Sequence, residues 1–88
     1  MEKMRQQINH LDDELILLLG QRMKIADQIG KYKKDNSITI LQTNRWNSIL
    51  ERAFAEGEKI GLSKEFITKY FDAVHMESIN HQNKVMNS

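Results

Sequence analysis

The sequence contains no cysteine, no proline and only four glycines. Without cysteine there are no disulfides and no thiolate to attack a substrate or bind a metal. A reducing compartment fits that absence. Without proline, no residue removes a helical N–H or clashes with the preceding turn. No apolar run approaches the roughly 20 residues that cross a bilayer, so no membrane segment is expected. The net charge is only +1. That argues against a strong nucleic-acid or membrane-surface binder, while leaving room for a local basic pocket. The opening Met-Glu-Lys-Met-Arg is charged and lacks the apolar core of a signal peptide, so a cytoplasmic protein is expected. No P-loop or Gly-rich nucleotide fingerprint is present. His10, His75 and His81 lack the spacing of a zinc site, and surface or packing roles are expected for them. No Ser-His-Asp or Cys-His logic is visible. Neither metal nor cofactor is expected, and an enzyme built this way would work by positioning and electrostatics.

What is present points to helices. The 88 residues are 40% apolar and 28% charged, ordinary values for one globular domain, 1–88, with a modest core. Met4, Ile8, Leu11, Leu15, Leu18, Ile25, Ile29 and Tyr32 recur in alternating steps of three and four, which predicts a helix over 3–34. Asp35-Asn36-Ser37 is a turn signal. Ile38-Thr39-Ile40-Leu41 reads as a loop that tucks side chains into the core. Thr43 or Asn44 can cap a second helix over 44–59, with Trp46, Ile49, Leu50, Ala53, Phe54 and Ile60 as its apolar positions and Gly61 as its stop. Ser63 then caps a third helix with Glu65 in its first turn. This helix carries Phe66, Ile67, Tyr70, Phe71 and Val74 and runs to about 84, and the tail ending Met86-Asn87-Ser88 is expected to fray.

A helix of roughly 30 residues is about 45 Å long, whereas a compact chain of this size is about 30 Å across. The first helix should therefore protrude with its apolar seam exposed. The simplest remedy is a second copy, so an intertwined all-α homodimer is expected, three helices per chain, with the long helices packed along each other. The alternative is a monomer in which the first helix breaks near Gly20 or Gly30 and folds back.

Several polar residues share the apolar stripes. At about 100° per residue, Arg22 falls among Leu11, Leu15, Leu18, Ile25 and Ile29, and Lys33 follows three turns later. Arg5 sits at the edge of this face, at the other end of the helix. In the third helix the stripe of Ile67, Phe71 and Val74 continues into Ser78 and Gln82. Arg45 lies one turn before Ile49 on the second helix. Singly, each has a bland reading: a snorkelling side chain, a register-setting polar residue, or the end of burial. Together they form an inward cationic cluster, and no carboxylate lies on the stripe of Arg22 and Lys33. Buried cations need partners. An anionic ligand would supply them, and arginine suits carboxylates or phosphates.

These residues resemble the all-helical (AroQ-class) chorismate mutases. The resemblance rests on R-x-x-I-x-x-L-D from Arg5, L-L-x-x-R ending at Arg22, I-G-x-x-K ending at Lys33, the downstream Arg45, and S-x-x-x-Q from Ser78 to Gln82. The wording "ITILQTNRW" is similar to mutase domains fused to DAHP synthase in some bacteria. The resemblance implies an intertwined dimer and conversion of chorismate to prephenate, a Claisen rearrangement in aromatic amino-acid biosynthesis that needs no cofactor or nucleophile. It implies that Arg22 and the partner subunit's Arg5 clamp the two substrate carboxylates. Lys33 then reaches a carboxylate and the ether oxygen, Gln82 donates to that oxygen, and Arg45 and Ser78 line the pocket. Two positions depart from the family pattern, Trp46 for a frequent glutamate and Gln42 for a frequent acid. The partner of the substrate's ring hydroxyl is thereby open: backbone near Ile40 to Gln42, a water, or nothing. Trp46 itself reads more readily as a core aromatic than as a substrate contact. Isochorismate pyruvate lyases share the cationic pocket, and a weakly active dimerisation or regulatory module of a larger enzyme is the alternative of another class.

Overall fold

The computed structural model describes residues 1–40 and 43–88, Thr43 by its backbone alone. Three helices account for nearly all of it: α1 (Glu2–Asp35), α2 (Thr43–Lys59) and α3 (Lys64–Met86). Helix α1 runs unbroken through Gly20 and Gly30, so the fold-back alternative is excluded. Its 34 residues correspond to about 51 Å, and the chain is 52 Å in its longest dimension against 25 and 14 Å in the others. The long helix sets the shape, as its length relative to the chain requires.

The breaks between helices are built by local chemistry. At the end of α2, Gly61 takes φ +84°. Leu62 N–H donates to Gly57 C=O at 2.9 Å and Gly61 N–H to Glu58 C=O at 3.3 Å, the paired closure that a left-handed residue permits. Ser63 accepts from Phe66 N–H at 3.1 Å and so starts α3, as expected. Helix α1 ends the same way as α2, with Ile38 N–H on Lys33 C=O at 2.8 Å and Ser37 N–H on Lys34 C=O at 3.3 Å. Here the left-handed residue is Ser37, at φ 55°, where a side chain is strained. Ser37→Gly should therefore stabilise the chain by about 0.5–1 kcal/mol after glycine's entropy cost. Thermal unfolding should shift upward by about 2–6 °C, and a downward shift would refute this reading of the turn.

Some expectations move. Helix α3 extends to Met86, two residues past the expected end, and Lys34 Nζ donates to the Ser88 carbonyl. Asn44 lies inside α2 rather than capping it. Ile38 and Ile40 are half-buried. The expected burial of Leu41, the capping side chain of Thr43, and Gln42 lie outside the described residues.

The largest difference concerns which face of α1 packs. Helices α1 and α2 each pack on α3 rather than on one another. The face of α1 against α3 is built on Ala26 and Gly30, both buried, and not on the large apolar seam. The reason is close approach. A Cβ on Gly30 would lie 2.9 Å from Gln82 Cα and 3.2 Å from its carbonyl oxygen, so only glycine lets the two backbones come this near. His81 Nδ1 pairs with Asp27 Oδ1 at 2.8 Å across the same contact. The seam is left uncovered: Ile8, Leu11, Leu15 and Leu18 are between 51% and 59% exposed. Among the described residues, the buried apolar side chains are Ala26, Ile67 and Val74. Among the described residues no helix is long and apolar enough to cross a membrane.

Candidate active site

Because α1 and α2 both lean on α3 without meeting, a cavity of about 350 Å³ opens between them, within the range of small-molecule pockets. Helix α1 supplies Arg22, Ile25, Ala26, Ile29 and Lys33, and α2 supplies Arg45, Trp46 and Ile49. Helix α3 forms the floor with His75, Ser78, Ile79 and Gln82, and Ile40 closes the end. The helical spacing read from the sequence explains the gathering. Arg22, Ile25, Ile29 and Lys33 follow one stripe of α1, and Ser78 and Gln82 are one turn apart on α3. Five of the six residues expected at a site thus line one cavity. Arg5 does not. It sits seventeen residues before Arg22, about 25 Å away along the helix axis.

The centre of the cavity is a chain of hydrogen bonds. Lys33 Nζ donates to the Ile40 carbonyl at 2.8 Å and to Gln82 Oε1 at 3.0 Å. Gln82 is buried, and its Nε2 donates to Ser78 Oγ at 3.2 Å. An ammonium only donates, so the amide oxygen of Gln82 must face it and the NH₂ must face Ser78. Each group retains capacity. Lys33 has three N–H bonds and uses two within the chain, and Gln82 has two and uses one.

The electrostatics are one-sided. Among the described residues no Asp or Glu lines the cavity, whereas Arg22, Lys33 and Arg45 do. Arg22 and Lys33 are half-buried and Arg45 is exposed, less enclosed than the sequence pattern suggests. Burial lowers the Lys33 pKa below the ordinary lysine value, because its partners are neutral dipoles and no anion holds the charge. Among the described residues no three His, Asp or Glu side chains gather as they would around a metal ion.

Trp46 departs from the sequence expectation, whereas His75 takes the packing role expected of it, on the cavity wall. Trp46 is half-buried on the cavity wall rather than in the core. His75, expected on the surface or in packing, stacks on Trp46 with ring centroids 4.0 Å apart and planes 18° from parallel. Burial and the nearby Arg22 and Lys33 push its pKa below the usual histidine value, with Asp72 opposing. His10 is exposed and pairs with Glu14 at 2.9 Å, away from the cavity.

Comparison with known proteins follows from this geometry. The family described as chorismate mutase type II matches residues 4–83. The chain is 29% identical to a bifunctional chorismate mutase/prephenate dehydratase of Buchnera aphidicola over 93% of its length, covering 21% of that protein. It is 30% identical to the T-protein of Haemophilus influenzae over 96% of its length, covering 22% of that protein. The chain thus spans about a fifth of these relatives. It is also 22% identical to a 4-amino-4-deoxychorismate mutase of Streptomyces venezuelae, over 98% of its own length and 84% of that protein's.

Proposed function

The chain belongs to the chorismate mutase type II family, and from that premise we propose that its cavity catalyses the rearrangement of chorismate to prephenate, an isomerisation in aromatic amino-acid biosynthesis. The observation that carries the reading is the pairing of Lys33 with Gln82, whose Oε1 accepts from Lys33 Nζ at 3.0 Å so that both side chains keep an N–H to give, in a cavity whose described lining holds cations and no carboxylate. In the rearrangement one C–O bond breaks as one C–C bond forms, and negative charge grows on the ether oxygen. A free N–H from Lys33 and one from Gln82 can converge on that oxygen. Preorganised donors of this kind stabilise charge where it develops. Arg22 and Arg45 hold carboxylates, which folds the flexible dianion into its reactive shape. Ser78 orients Gln82 through the 3.2 Å bond, and no covalent intermediate is required.

The same reading includes a homodimer with shared sites. Among the described residues, three buried apolar side chains are too few for a stable independent domain of this length. The uncovered seam of α1 is the natural surface for a second α1. A further groove of about 620 Å³ between α1 and α3, walled by Leu19, Met23, Tyr70 and Val74, adds to the apolar surface that a partner would cover. An antiparallel second copy would also carry the partner subunit's Arg5 to the cavity that its own chain cannot reach. A cytoplasmic location and a companion enzyme belong to the reading as well. The bifunctional Buchnera relative points to prephenate dehydratase as that companion, and the "ITILQTNRW" wording to DAHP synthase.

The test is direct: purified dimer is mixed with chorismate and the loss of its ultraviolet absorbance is followed as prephenate forms. Folded dimer that leaves chorismate untouched would favour a regulatory module, and release of pyruvate from isochorismate would favour a lyase. The pH profile supplies a second expected result. The working form of Lys33 is the ammonium, so kcat/KM falls as pH rises through its pKa. Because burial lowers that pKa, the alkaline limb should lie below 10.5. Bound dianion favours the charged form, so the limb in kcat should lie at higher pH than the limb in kcat/KM. A kcat/KM flat beyond 10.5 would contradict the role given to Lys33.

A further inference from the structure

The cavity has several hydrogen-bond donors but few spare acceptors. Arg22, Lys33 and Arg45 only donate, and so does the Trp46 indole. The Ile40 carbonyl and Gln82 Oε1 each already accept one bond from Lys33, and Ser78 Oγ one from Gln82, which leaves each a single lone pair held beside a donor already in place. Among the described residues lining the cavity, His75 is the side chain whose ring nitrogens have no hydrogen-bond partner. Its ring is held in plane against Trp46 at 4.0 Å, so the orientation of those nitrogens is limited before any ligand arrives.

Resting on the chorismate reading, we propose that His75 is the residue that accepts a hydrogen bond from the substrate's ring hydroxyl, and that the Trp46–His75 wall makes the site selective for a neutral hydroxyl at that ring position. The hydroxyl is a neutral group with one proton to give, and a neutral imidazole has one nitrogen to receive it. The charged groups facing His75 are Arg22 and Lys33 on α1 and Asp72 on its own helix, with Arg45 of α2 on the same cavity. The cations outnumber the carboxylate, and together with burial they keep the imidazole neutral near pH 7. The same cations disfavour an analogue with an amino group in place of the hydroxyl. That amine is protonated at neutral pH and meets no carboxylate on the cavity wall. Such a cation would be placed among like charges with its N–H bonds unmatched.

The experiment compares wild type, His75→Leu and His75→Gln on chorismate and on its analogue lacking the ring hydroxyl, with kcat/KM measured for each. Wild type should prefer the hydroxylated substrate by about tenfold or more, the range for one satisfied hydrogen bond. In His75→Leu that preference should fall to near one, through loss on chorismate alone. His75→Gln, which retains an acceptor, should keep most of it. The ratio of the two substrates within one variant does not depend on how much of that variant is folded. The amino analogue should react with wild type at least a hundredfold more slowly than chorismate at pH 7. Equal losses on both substrates in His75→Leu would reduce His75 to a packing residue and overturn the inference, as would an unchanged preference. An amino analogue converted as fast as chorismate would overturn the selectivity. If wild type converts none of the three, the chorismate reading itself fails and takes this inference with it.

Discussion

Replacing Lys33 with alanine should lower kcat on chorismate by about a hundredfold to a thousandfold, the usual loss when one donor to developing charge is removed. Three features of the structure set that size. The ammonium is held by the Ile40 carbonyl at 2.8 Å and by Gln82 Oε1 at 3.0 Å, so it is aimed before substrate binds. Neither partner is charged, so its positive charge is not cancelled within the chain. Its loss would also release Gln82, whose amide oxygen would then be a buried acceptor without a donor. The effect should fall on kcat more than on KM, because the growing charge exists only in the transition state. Lys33→Arg should recover little, since a longer, planar guanidinium cannot aim a third N–H from the same nitrogen at the ether oxygen as an ammonium can. Steady-state kinetics with an absorbance readout checks this, and Lys33→Ala turning over near the wild-type rate would sink the mechanism.

Arg5→Ala should lower kcat/KM by about a hundredfold even though Arg5 lies some 25 Å along the helix from the cavity of its own chain. The effect arises because the partner subunit's Arg5 is proposed to hold a substrate carboxylate. It should appear chiefly in KM, since a carboxylate clamp is present in ground and transition states alike. Folding should be nearly unaffected, because Arg5 is exposed on α1 and makes no ion pair with a described residue. Circular dichroism and thermal melting would establish that. An Arg5→Ala protein with unaltered kinetics would detach the N-terminal half of α1 from the site.

Much of this architecture was readable from spacing. Arg22 and Lys33 share a cavity because eleven residues are close to three helical turns. Ser78 and Gln82 continue the stripe of Ile67 and Val74 because the third helix keeps its register. Cation pairing with no carboxylate on the stripe was legible for the same reason. The packing face of α1 was not. Periodicity weighs large apolar residues, while the contact with α3 is made by Ala26 and Gly30, where smallness rather than hydrophobicity lets the helices meet. Nor was the Ile40 carbonyl assigned to Lys33, because a backbone acceptor leaves no mark in side-chain pattern. His75 escaped because its place depends on Trp46 from another helix, a pairing that no local motif encodes. The homodimer was inferred from the length of the first helix, and the exposure of Leu11, Leu15 and Leu18 adds a physical reason for it.

The central claim is that each site is completed by the second chain, and subunit mixing tests it most directly. Arg5→Ala and Lys33→Ala proteins, each nearly inactive alone at chorismate concentrations well below the wild-type KM, are unfolded together in equal amounts and refolded, and the mixture is assayed at that same low concentration. Random pairing makes half of the dimers mixed. In each mixed dimer one cavity has its own Lys33 and receives an intact Arg5 from its partner, while the other cavity lacks both. Activity should therefore return to about one quarter of the wild-type value, as half the dimers each regain one of two sites. A mixture no more active than its two components would contradict the shared site.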